Sequence, residues 1–78
     1  MPVYHIHING LVQGVGFRPT VHQLAIQMGI YGWVRNGSDG VHILCKTNEE
    51  NAQAFYQHLL QNPPGNAIIS KHQFELAQ

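Results

Sequence analysis

A single cysteine, Cys45, stands in 78 residues, so no internal disulfide can staple this chain and thiolates alone cannot build a zinc site. That scarcity points to a reducing, cytoplasmic setting. Charge is scarce too: four Lys and Arg face four Asp and Glu, and the formal charge is zero with histidine neutral. Such a balance offers neither a nucleic-acid surface nor a basic membrane-binding face. No apolar run approaches membrane-spanning length, and Met1-Pro2-Val3-Tyr4-His5 lacks the basic segment and apolar stretch of an export signal. Repeats, low-complexity tracts and linker-like segments are also missing. What is present is ordinary for a globular chain, 44% apolar and 10% charged, so one small domain over residues 1–78 is expected. Six histidines are the compositional excess, and they add positive charge below about pH 6.5.

Periodicity orders the chain. Residues 3–10 alternate, with Tyr4, Ile6 and Ile8 on one side and Val3, His5, His7 and Asn9 on the other, as in a strand with one buried face. The period then changes: Phe17, Val21, Leu24, Ala25 and Met28 recur at helical spacing, Pro19 suits a first turn and Gly29 a C-terminal cap, predicting a helix over 19–28. Residues 30–36 are rich in aromatic and β-branched side chains; Gly37-Ser38-Asp39-Gly40 is a turn, and strand character resumes over 41–46, which makes a hairpin. Thr47 and Glu50 have capping-box spacing, and Ala52, Phe55, Tyr56 and Leu59 form the apolar stripe of a second helix over 48–61. Pro63-Pro64-Gly65 ends it, and residues 68–76 make a last strand whose alternation breaks around Lys71 and His72, so periodicity sets no register there. The order βαββαβ is that of a ferredoxin-like α+β sandwich, an antiparallel four-stranded sheet with two helices on one face.

Chemistry concentrates in two places. Val12-Gln13-Gly14-Val15-Gly16-Phe17-Arg18-Pro19 is a glycine-rich turn between a strand and a helix, where backbone N–H groups and the helix dipole together suit an anion. Arg18 enters the helix there, and its planar guanidinium can grip two phosphate oxygens. Gly32-Trp33-Val34-Arg35-Asn36 carries an amide that is neither base nor nucleophile at neutral pH but can hold a water in a fixed orientation. Taken singly, each residue has an ordinary explanation: Gly14 and Gly16 a tight turn, Arg18 a surface cation, Asn36 a turn residue before Gly37. Phe17 and Trp33 read as packing residues, and Cys45 as a small core residue of the third strand. The combination carries the functional reading. In the sandwich topology, the glycine turn and the end of the second strand meet at one edge, so Arg18 and Asn36 can share a site.

On these residues the chain resembles the acylphosphatase family, whose first motif, Val-Gln-Gly-Val-x-Phe-Arg, is matched at positions 12–18. Its second, Gly-Trp-Val-x-Asn followed four residues later by glycine, is matched at 32–36 and Gly40. The resemblance spans essentially the whole chain. Pro19 after Arg18, with Val21, Leu24 and Ala25 following, is more similar to the N-terminal acylphosphatase-like domain of the hydrogenase-maturation carbamoyltransferase than to the free-standing enzyme. Val41 directly after Gly40, and Thr47-Asn48 where the longer second motif has a later glycine, depart from the free-standing pattern and bear on the acyl group rather than on the phosphate.

The resemblance implies hydrolysis of an acyl phosphate, with carbamoyl phosphate as substrate in hydrogenase maturation. Gln13, Gly14, Val15, Gly16, Phe17 and Arg18 would bind the phosphate, and Arg18 and Asn36 would be the catalytic pair. It implies no cofactor and no metal. Its partners are a small acyl phosphate or inorganic phosphate and, for an excised or truncated domain, the further domains of a carbamoyltransferase. Two alternatives stand beside it: a free-standing acylphosphatase of broad specificity, and a non-catalytic acyl-phosphate-binding or docking domain. An aromatic-faced nucleic-acid module would need a basic signature that is missing. The histidines have their own expectation: His5 and His7 share a face of the first strand, and the topology brings His42 near them. With no carboxylate or cysteine at ligand spacing, the trio is expected to be ordinary surface polarity and not a metal site.

Overall fold

The computed structural model describes residues 1–12 and 16–77. Strand β1 (Val3–Leu11) leads to helix α1 (Phe17–Met28), the hairpin β2 (Tyr31–Gly37) and β3 (Gly40–Lys46), helix α2 (Glu49–Gln61), and β4 (Ile68–Leu76). The sheet order is β2-β3-β1-β4, with every neighbouring pair antiparallel. This is the expected ferredoxin-like βαββαβ sandwich.

The core forms where strand and helix periodicities meet. Tyr4, Ile6 and Ile8 of β1 and Val41, Ile43 and Cys45 of β3 are cross-strand partners on one face, and all are buried. Phe17, Val21 and Leu24 of α1 and Ala52, Phe55, Tyr56 and Leu59 of α2 supply the buried helical stripes. Completely enclosing side chains such as Phe55 and Leu59 contributes about 1.5–3 kcal/mol each relative to exposure. Among them, burial pushes the Cys45 thiol up to about 12, as expected for a core cysteine with no thiolate chemistry.

Two local expectations need correction, and one register left open by periodicity is set. Helix α1 begins at Phe17, two residues before the predicted start, because its cap is the left-handed Gly16 (φ 82°, ψ 21°) rather than a side chain that composition would mark. The cap of α2 is Asn48, whose side chain accepts from Asn51 N–H at 2.8 Å, and not Thr47. Thr47 is buried and gives its N–H to the Pro2 carbonyl, extending the strand ladder, so the helix starts one residue later. On β4 a bulge lies opposite Asn9 and Gly10: Asn9 pairs with Lys71 but Gly10 with Ile69. The extra residue, Ser70, breaks the alternation that would have set the register.

Candidate anion site

Topology makes the site. β1 and β2 are each antiparallel to β3, which lies between them, so they run parallel to one another and their carboxyl ends share one edge of the sheet. Helix α1 starts a few residues beyond the end of β1, which brings its amino end to the same edge. Val12, 1% exposed, and Phe17, 2% exposed, pin the two ends of the connection into the core. Gln13, Gly14 and Val15, expected in the phosphate loop, lie outside the described residues.

The amino end of α1 is built without an anion of its own. Gly16 supplies no capping side chain, the first turn holds no acidic residue, and the first helical bond runs from Thr20 N–H to the Gly16 carbonyl at 3.2 Å. That bonding pattern leaves the Phe17 and Arg18 amides outside the helical ladder, while Pro19 has no N–H to satisfy. Two backbone donors and the positive end of the helix dipole therefore lie where the chain leaves β1, and Arg18, exposed, stands in the same first turn.

Asn36 stands near the end of β2, exposed, and pairs with Val41. Partners across a strand pair share a face, so Asn36 lies on the helix-covered side, in one row with Val41 and Ile8. Strand direction and helix start thus put Gly16, Phe17, Arg18 and Asn36 toward one edge of the sheet. Phe17 belongs to it only by its backbone, since its ring is core. Trp33 differs from expectation: it is 45% exposed on the open face, with Arg35 at 5.6 Å from its ring centroid. No helix covers that face, which leaves the ring partly exposed and open to the cation.

The turn after Asn36 is fixed by a backbone contact. Gly40 has φ 114°, and a Cβ there would lie 2.2 Å from the Ile8 carbonyl oxygen and 3.1 Å from its carbon. Both the dihedral and the close approach demand glycine, whereas a Cβ on Gly16 would meet open space and only its left-handed dihedral argues for glycine. Gly40→Ala is expected to cost about 3 kcal/mol or more, lowering the midpoint of thermal unfolding by about 12 °C or more. Gly16→Ala should cost only about 1–2 kcal/mol. Thermal denaturation followed by circular dichroism checks both; equal losses would refute the close-approach explanation.

A second hollow, about 380 Å³, lies between α1 and β2 and is lined by apolar groups such as Val21, Ala25, Ile30 and Phe55. No lysine or arginine lines it, and His22 is its one basic side chain, so a phosphate would meet no permanent cation there.

One expectation about the histidines is overturned. Asp39, in the β2–β3 turn, folds onto the open face and joins them, with Oδ1 2.8 Å from His42 Nε2. The His42 ring, by that hydrogen bond, holds the Asp39 carboxyl below the usual carboxylate range. The Asp39-to-His42 spacing of three was the available sequence signal, but only a tight turn reversing the chain gives it meaning.

Residues 4–78 match the acylphosphatase family. The chain belongs to that family. It is 58% identical over 66 residues to carbamoyltransferase HypF2 of Cupriavidus necator, covering 85% of this chain and 8% of that protein. The chain spans less than a tenth of the length of the curated carbamoyltransferases it matches. Among solved structures, full-length HypF in its phosphate- and nucleotide-bound form superposes with a TM-score of 0.94 at 35% identity, over 99% of this chain and 10% of that one. The acylphosphatase of Bacillus subtilis superposes with a TM-score of 0.90 at 32% identity, over 100% of this chain and 87% of that one. In sequence family and in fold, the molecule is an acylphosphatase domain. Among the described residues, no helix is long and apolar enough to cross a membrane.

Proposed function

We propose that this domain hydrolyses acyl phosphates by direct attack of water on phosphorus, with carbamoyl phosphate as its natural substrate, in the cytoplasm and as the acylphosphatase module of a hydrogenase-maturing carbamoyltransferase. The observation that supports it is the shared edge: a helix amino end with no capping side chain and Arg18 in its first turn, and Asn36 near the end of β2, which runs parallel to β1 across β3. An acyl phosphate is a mixed anhydride whose leaving group is already good. A catalyst need only hold the phosphate, spread the charge of its equatorial oxygens and place a water in line. In this reading the backbone amides of residues 13–18 and the Arg18 guanidinium hold the phosphate. The Asn36 amide oxygen accepts from the attacking water and aims its lone pair at phosphorus. No covalent intermediate is needed, and a phosphate oxygen of the substrate takes the proton.

The 58% identity to a carbamoyltransferase supports carbamoyl phosphate over other acyl groups. A domain this small offers little wall against the acyl group, so related substrates should enter. Steady-state hydrolysis of carbamoyl, acetyl and benzoyl phosphate tests the proposal. All three are expected to turn over, carbamoyl phosphate with the highest kcat/KM. A higher value for acetyl or benzoyl phosphate would sink the substrate assignment alone. A folded domain that hydrolyses none of them would be a phosphate-binding docking module and not an enzyme.

A further inference from the structure

On the open face of the sheet, opposite the helices, His7 and His42 are direct cross-strand partners in β1 and β3, and their rings stack at 4.2 Å. The β2–β3 turn brings Asp39 over them, and the ligand atoms of the three residues all lie within 4.8 Å of one another. A Cβ on Gly37 would stand 2.8 Å from Asp39 Oδ1, so the glycine leaves the carboxylate room to reach His42. From this convergence we infer that His7, His42 and Asp39 form a binding site for a divalent transition metal of the zinc type, with both histidines on the sheet face opposite Asn36.

Proton counting supports the inference. Four groups line up as Glu75, His5, His42, Asp39: Glu75 Oε1 is 3.4 Å from His5 Nδ1, His5 Nε2 is 3.0 Å from His42 Nδ1, and His42 Nε2 is 2.8 Å from Asp39 Oδ1. The chain has three links and a carboxylate at each end, while two neutral imidazoles supply two N–H groups. While both rings are neutral, one link has two acceptors facing each other, a conflict that one further proton or a metal cation would remove. A cation between His42 Nε2 and Asp39 removes the conflict. His42 then donates Nδ1–H to His5 Nε2, and His5 donates Nδ1–H to Glu75, an orienting relay of the kind that holds metal-bound histidines.

The geometry and donor chemistry agree. In a tetrahedral zinc site donors stand about 3.3 Å apart. Asp39 Oδ1 lies 2.8 Å from His42 Nε2 and its other oxygen, Oδ2, 3.6 Å from His7 Nε2, on either side of that value. His7 would release the Asp39 carbonyl oxygen, now 2.7 Å away, and the Asn9 side-chain amide would continue to donate to it. Two imidazoles and one carboxylate with a position left for water are a zinc set, whereas calcium and magnesium prefer all-oxygen shells. Arg35, the cation paired opposite His42, lies over the Trp33 ring, with one guanidinium nitrogen 3.5 Å from where a Gly37 Cβ would stand.

Calorimetric titration of the folded, chelator-treated protein with zinc ions tests the site, with cobalt(II) absorption reporting four-coordination. One equivalent should bind with micromolar or tighter affinity. His7→Gln and Asp39→Asn, both solvent-accessible changes, should each weaken it at least tenfold, and His5→Gln, acting through the relay, about tenfold. His22→Gln and His58→Gln, on the helices, should leave it unchanged. Failure of zinc to bind at submillimolar concentration would mean that the cluster takes only a proton. That result, or binding indifferent to His7 and Asp39 in variants that keep the wild-type circular dichroism, would overturn the inference.

Discussion

Arg18→Gln is expected to lower acyl-phosphate turnover by about 10³-fold or more, the scale on which a single arginine stabilises phosphoryl-transfer charge. The reason lies in what remains. At the amino end of α1 the other donors are neutral backbone amides, Pro19 offers none, and no lysine or histidine occupies the first turn. Arg18 is thus the sole full charge of the motif, and its loss should also weaken inorganic phosphate by about ten- to a hundredfold, the strength of one charged hydrogen-bonding contact. Arg18→Lys keeps the charge without the fork, so it too should impair both binding and turnover severely. Phosphate calorimetry beside steady-state kinetics measures the two effects. Because the side chain is exposed, neither variant should lose its fold. Unchanged phosphate affinity in a folded Arg18→Gln protein would remove Arg18 from the site.

Asn36→Ala should separate binding from chemistry. A group that orients water acts on the transition state more than on the bound phosphate, so phosphate affinity should hold while kcat falls by about 10²- to 10³-fold, the usual loss for one well-placed polar contact. Its pairing with Val41 is made by the backbone, and the side chain is exposed, so the substitution leaves β2 intact. A kcat unaffected by the change would show that the water is held elsewhere. An equal loss of phosphate affinity would make Asn36 a phosphate ligand.

The features legible in the sequence were those decided locally. β1 reads correctly because one of its faces is buried and the other wet, so Tyr4, Ile6 and Ile8 separate cleanly from His5 and His7. The stripe from Ala52 to Leu59 is equally plain because α2 buries one side only. Boundaries failed where two residues could serve one role: Thr47 and Asn48 are both good caps, and the choice fell to Asn48 because Thr47 extends the ladder to Pro2. The register of β4 was hidden because a bulge at Ser70 is set by its partner strand and not by its own residues. Asp39 was hidden for a related reason. It reads as a turn residue, and only the pairing of His7 with His42 beneath it turns three separate side chains into one cluster. For the anion site, Arg18 and Asn36 were each visible in motifs, while their common edge follows from parallel strand ends that no local pattern encodes.

Hydrolysis of benzoyl phosphate in ¹⁸O-labelled water identifies the bond that breaks, because the position of the label tells which atom the water attacked. If the amides, Arg18 and Asn36 act together on an in-line attack at phosphorus, the enzyme-dependent label appears in the phosphate, and both Arg18→Gln and Asn36→Ala suppress it. Label in the benzoate would mean attack at the acyl carbon and would contradict the account, as would a folded domain that releases phosphate no faster than buffer.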